Sequence, residues 1–168
     1  MTNNYVFTTQ GDVIKKIEID SGDIIDTLVI PEGFTKIEAD AAIYVNIRKL
    51  HLPSSLKEIE DNAFASCGIK EIHGGENVEI IGVGAFYRNS LKSVTDFKNL
   101  TMIDEDAFKG SIIEEFYFPK TLKTIGSQAF MNNNLKFVDL SNLENVTIET
   151  RAFALNNIEE LKLSLIHI

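Results

Sequence analysis

One cysteine, Cys67, stands in 168 residues, which excludes an internal disulfide and any multi-cysteine zinc site. Basic residues are scarce: 16 Lys and Arg against 25 Asp and Glu leave a net charge of −9. That sign argues against nucleic acid, which needs clustered cations, and against docking on an anionic membrane. No run approaches the ~20 apolar residues of a membrane helix, so membrane insertion is not expected. Residues 1–5 have neither the basic region nor the apolar stretch of a signal peptide, which points a complete chain to the cytoplasm. Catalytic signatures are also missing. There is no nucleophile elbow, phosphate loop or His-Glu-x-x-His, and Gly82-x-Gly84 is too short for a dinucleotide loop. No catalytic residue, cofactor or metal is expected.

What the chain does have is a period. Ala-Phe recurs at Ala63-Phe64, Ala85-Phe86, Ala107-Phe108, Ala129-Phe130 and Ala152-Phe153, at spacings of 22, 22, 22 and 23 residues. Four residues before each alanine stands an isoleucine: Ile59, Ile81, Ile103, Ile125 and Ile148. Seven before stand Leu56, Val78, Leu100 and Leu122, with Val146 one place out in the last copy. Six after come Ile69, Leu91, Ile113, Leu135 and Ile158, and nine after come Ile72, Val94, Phe116, Val138 and Leu161. An upstream copy carries Phe34, Ile37, Ala41, Ile47 and Leu50, with Ala42 in place of phenylalanine. Six copies thus cover residues 28–161, and a fixed period of this length marks a solenoid in which each repeat packs on its neighbours.

Alternation in Leu50-His51-Leu52 and Phe116-Tyr117-Phe118 predicts a short strand in each repeat, stacked into a parallel sheet. Pro31, Pro53 and Pro119 share one frame position and would end those strands. The Ala-Phe pair is expected on a short helical turn, with phenylalanine filling the core. Asn46, Gly68, Asn134 and Asn157, five residues after the alanine, are expected to supply the left-handed turn that follows. Cys67 falls on a core position and reads as a buried, inert thiol.

Residues Leu50, Leu52, Pro53, Leu56, Ile59, Ala63, Phe64, Cys67 and Ile69 spell out Leu-x-Leu-Pro-x-x-Leu-x-x-Ile-x-x-x-Ala-Phe-x-x-Cys-x-Ile. This pattern resembles the BspA-like class of leucine-rich repeats across about four-fifths of the chain. The resemblance departs at Gly75, Phe97 and Ser141, which stand where proline is expected. It implies an α/β solenoid: a right-handed coil with parallel strands on its concave face and short helical or irregular turns opposite. It also implies a bacterial or protozoan surface or secreted protein that recognises other molecules without catalysis.

Three segments are expected: a strand cap over residues 1–27, the solenoid over 28–162, and a tail over 163–168. Tyr5-Val6-Phe7, Val13 to Ile19 and Ile24-Ile25 would build the cap, with turns at Gly11-Asp12 and Ser21-Gly22-Asp23. No matching cap closes the other end. The final Leu-Ser-Leu-Ile-His-Ile translates a common sequencing-adapter end, so the tail is expected to be non-native and the chain a fragment of a longer protein. A fragment would belong at the cell surface or outside the cell.

Residues flanking the first buried position of each strand should face solvent together. They include Lys49, His51, Glu71, His73, Thr95, Tyr117, Phe137 and Asp139, which form the candidate binding surface for a protein or glycan. Phe137 beside Tyr117 would be an aromatic anchor. His51 and His73 would be neighbours, with Glu71 placed across the strand from them, too few ligands for stable zinc. Carboxylate runs such as Glu58, Glu60 and Asp61 read as a solvated convex face. Two other readings are a structural spacer within a longer surface protein and a small metal protein or enzyme.

Overall fold

A computed structural model describes residues 5–19 and 23–164. Residues 21 and 22 of the expected turn, residues 1–4 of the expected cap and most of the expected tail, 165–168, lie outside them. In chain order the strands are β1 (Tyr5–Gln10), β2 (Val13–Ile19), β3 (Ile25–Val29), β4 (Lys36–Ile37), β5 (Ile47–Leu52), β6 (Glu58–Ile59), β7 (Glu71–Gly74) and β8 (Ile80–Ile81). They continue as β9 (Ser93–Val94), β10 (Met102–Ile103), β11 (Glu115–Phe116), β12 (Thr124–Ile125), β13 (Phe137–Leu140), β14 (Thr147–Ile148) and β15 (Glu160–Leu163).

These strands form the two walls of a β-solenoid of about seven turns. One wall is a continuous eight-stranded sheet in the order β1-β2-β4-β6-β8-β10-β12-β14, antiparallel at β1–β2 and parallel after it. Its isoleucines stand in register, Ile14 on Ile37, Ile37 on Ile59, and onward to Ile148. The hairpin β1–β2 stands at one edge of this sheet, and Ile14 and Ile17 of β2 are buried. The other wall is broken into three hydrogen-bonded pieces, β3-β5-β7, β9-β11 and β13-β15.

No helix occurs among the described residues, which corrects the α/β expectation and its helical turns. The reason lies in the backbone around Ala-Phe. Residues just before and three after the alanine have positive φ, as in Asn62 (53°) and Ser66 (55°), or Asp106 (55°) and Gly110 (74°). Alternate N–H groups then point at the next coil: Asn62 donates to Val83 O, Phe64 to Ala85 O and Ser66 to Tyr87 O. Those donors are spent between coils, so no run of bonds along the chain can close a helix. The left-handed residues also differ from expectation, because of Asn46, Gly68, Asn134 and Asn157 only Gly68 has positive φ.

Between the walls runs a column of stacked rings. Phe64–Phe86, Phe86–Phe108, Phe108–Phe130 and Phe130–Phe153 lie 5.5, 5.4, 5.4 and 5.5 Å apart, with planes 14°, 4°, 13° and 10° from parallel. The 22-residue period therefore puts one ring per coil into a shared interior, at separations where aromatic pairs attract. In the copy with the extra residue, the buried side chain is Leu143 and not Val146, which is only partly covered. Asn145, with φ 57°, absorbs the insertion and lets Thr147 rejoin the ladder opposite Thr124.

A second ladder joins the coils. Asn89 accepts from Ile69 N–H at 2.9 Å and donates to the Phe64 carbonyl at 2.8 Å. Asn133 accepts from Ile113 N–H and donates to the Phe108 carbonyl, and Asn156 accepts from Leu135 N–H and donates to the Phe130 carbonyl. Each amide, buried at Asn89 and Asn133 and partly so at Asn156, satisfies two backbone groups that the turn leaves over. Cys67 occupies the same slot, its thiol 3.0 Å from Ala42 O, and Ser111 fills it with a buried hydroxyl that has no partner among the described residues.

Candidate functional site

The exposed face of the broken wall carries all eight candidate residues, but the breaks sort them into two groups. Lys49, His51, Glu71 and His73 stand together on β5 and β7. The two imidazoles are 4.9 Å apart between ring centroids. Glu71 is beside them and not across the strand: its carboxylate is 3.2 Å from His73 Nε2 and 3.3 Å from Lys49 Nζ. Residues two apart on a strand share a face, which is why Glu71 and His73 meet. The His73 hydrogen bond first, then Lys49, hold the Glu71 carboxyl below the usual carboxylate range. Among the described residues no three His, Cys, Asp or Glu side chains gather where they could hold a metal.

Thr95, Tyr117, Phe137 and Asp139 line the second group, a groove of about 630 Å³ where β11 and β13 are not hydrogen-bonded. Phe116 and Phe118 stand at the positions of Val94 and Asp96 one coil earlier, and of Val138 and Leu140 one coil later. Their rings pack edge-on against Phe130 at 4.7 and 5.5 Å and line the groove. Tyr117 and Phe137 remain 42% and 43% exposed on the groove's two sides. Lys98 Nζ lies 4.2 Å above the Tyr117 ring, and Lys162 Nζ lies 4.8 Å from the centre of Phe137.

Carboxylates rim the same groove. Asp139 accepts from Ser141 N–H at 3.0 Å and from its hydroxyl, and these bonds hold its carboxyl below the ordinary range. Glu114 sits 3.5 Å from Lys92, and Glu115 projects from β11. A smaller groove of about 240 Å³ marks the other break, between β7 and β9, where Asp96 takes the Gly74 N–H at 2.9 Å. Lys98, Ser141 and Asn142 also line the large groove but stand outside the strands. Alternation along a strand could not find them. Their only sequence signal is their position in the turn directly after the strand.

The opposite wall bears charge as well, around a recess of about 220 Å³ lined by Glu58, Glu60, Asp61 and Asp104. Lys36 pairs there with Glu58 at 3.4 Å and more closely with Glu60, whose other oxygen accepts from Ala39 N–H at 3.0 Å. Among the described residues no helix is long and apolar enough to cross a membrane.

The fold has a counterpart among solved structures. The crystal structure of a leucine-rich repeat protein from Bacteroides ovatus ATCC 8483 superposes with a TM-score of 0.55 at 19% identity. The match covers 95% of this chain but 39% of that one, so the chain spans well under half the length of its solved counterpart. A search of curated proteins finds no match. The model of the BspA type leucine rich repeat region, in contrast, matches residues 20–136 and 101–167 with six copies; the chain belongs to this repeat family.

Proposed function

We propose that the exposed face of the broken wall is a non-catalytic recognition surface for a protein partner, lying on the concave side of the coil. The observation that carries this reading is the pairing of two half-exposed aromatic residues, Tyr117 and Phe137, on one groove of about 630 Å³. Amphipathic rings that are already partly fixed lose little conformational freedom on binding, so they suit the centre of an interface. Membership in a leucine-rich repeat family supports the same role, since stacked repeats present an extended surface that partners read.

Selection from a randomised peptide display library against the immobilised protein tests the reading. Enriched peptides should lose binding to the Tyr117→Ala/Phe137→Ala variant, while Glu79→Gln beside β8 on the other wall leaves it intact. Peptides indifferent to both aromatic residues would refute the proposed surface.

A further inference from the structure

We infer that the groove between β11 and β13 is an arginine subsite, which receives an arginine side chain from a polypeptide partner. The inference rests on the recognition surface proposed above and names the chemistry of its centre. Acidic and aromatic side chains alternate on both walls of the groove. At the 22-residue offset of the repeat, Glu115 stands opposite Phe137, and Tyr117 opposite Asp139.

Three features of this arrangement select a guanidinium. First, the rings accept cations, because Lys98 and Lys162 already rest over Tyr117 and Phe137 at 4.2 and 4.8 Å. Second, one carboxylate of the rim is left without an ion pair. Glu114 has Lys92 at 3.5 Å and Asp139 has Ser141 and the charge of Lys162, whereas Glu115 forms no ion pair among the described residues. Third, the floor is apolar, made by the buried rings of Phe116 and Phe118. An arginine stem packs on such a floor while its planar head stacks on a ring and turns its N–H edge to a carboxylate. The net charge of −9 favours the approach of a basic segment.

Lys98 has a defined place in this scheme. It holds the Tyr117 face that the incoming guanidinium would use, and so competes with it from within the protein.

Fluorescence anisotropy of the intact chain with a fluorescein-labelled Gly-Ser-Arg-Gly-Ser-Arg-Gly-Ser peptide, at about 150 mM salt to suppress diffuse attraction, is the test. Glu115→Gln and Phe137→Ala should each weaken binding about tenfold, and the glutamine counterpart of the peptide should bind no better than those variants. Lys98→Ala should tighten binding about threefold by clearing the ring. Glu79→Gln, with the same change of charge on the other wall, should alter it less than about twofold. Equal weakening by both glutamate substitutions would show bulk charge alone and overturn the subsite. So would an unchanged Lys98→Ala variant, or cellohexaose binding that requires Tyr117 and Phe137 while the arginine peptide fails to bind. If the arginine peptide fails while display-selected peptides still need both rings, the subsite alone falls. If neither kind of peptide needs them, the recognition surface falls with it.

Discussion

The ring of Phe86 lies 5.4 Å from that of Phe108 and only 4° from parallel, although 22 residues separate them in the chain. Each ring in the column is thus both core filling for its own coil and part of the surface on which the next coil rests. Removing one ring harms two interfaces.

Phe108→Ala should accordingly cost about 3–5 kcal/mol, the range for a fully buried phenylalanine. Phe153, which is only partly buried, should cost clearly less on the same substitution. Urea denaturation followed by circular dichroism measures both, and equal losses would contradict the stacking account.

The vacant slot of the asparagine ladder offers a gain. Ser111→Asn would place an amide opposite Leu91 N–H and Phe86 C=O, as Asn133 stands opposite Ile113 and Phe108. Stability should rise by about 1 kcal/mol, while Asn133→Ala should lose about 1–3 kcal/mol by stranding buried backbone groups. Thermal unfolding decides between these outcomes and a neutral Ser111→Asn.

Burial pushes the Cys67 thiol up to about 12, with the sulfur enclosed against Ala42 O. Only thiolate reacts readily, so iodoacetamide near neutral pH should leave the native chain unmodified and label it fully in denaturant. Mass spectrometry reads the difference, and rapid labelling of the folded protein would place Cys67 nearer solvent.

Glu60 is held below the ordinary carboxylate range chiefly by Lys36, with the Ala39 N–H adding to it, and the same pair raises Lys36. A depressed carboxylate stabilises the fold above its unfolded pKa of 4.5 and loses that contribution as pH falls through the lower folded value. The raised Lys36 contribution is complete below its unfolded value of 10.5 and fades as pH climbs beyond it. Between about pH 6 and pH 3, melting temperature should therefore fall further for the native chain than for Glu60→Gln. Parallel curves would show that the pair contributes nothing.

Legibility in the sequence followed side-chain volume. Phe64, Phe86, Phe108 and Phe130 recur every 22 residues, so core, period and coil could be read directly. Backbone conformation was harder, because the left-handed position before the alanine holds Asp40, Asn62, Gly84, Asp106, Gln128 and Arg151, which share no single residue type. A bias to Asp, Asn and Gly in four of the six was the available signal. Paired asparagines are ambiguous in another way: in Asn133-Asn134 and Asn156-Asn157 the first residue bridges the coils, whereas the repeat frame points to the second as the turn residue. That the eight candidate residues share a solvent-facing side was readable because strands alternate. The groove was not, since nothing in the repeat frame marks where neighbouring strands part: Phe116 pairs with Val94 on β9, yet β11 and β13 do not pair.

Disulfide trapping tests the stacking of coils most directly. In a Cys67→Ser background, His51→Cys/His73→Cys would place two thiols on directly paired positions of β5 and β7, and His51→Cys/Thr95→Cys would place them two rungs apart. Paired parallel strands bring Cα atoms to about 4.8 Å, within disulfide reach, while two rungs exceed it. The account predicts near-complete intramolecular crosslinking of the first pair and none of the second. An unlinked first pair, or a crosslink between positions 51 and 95, would contradict it.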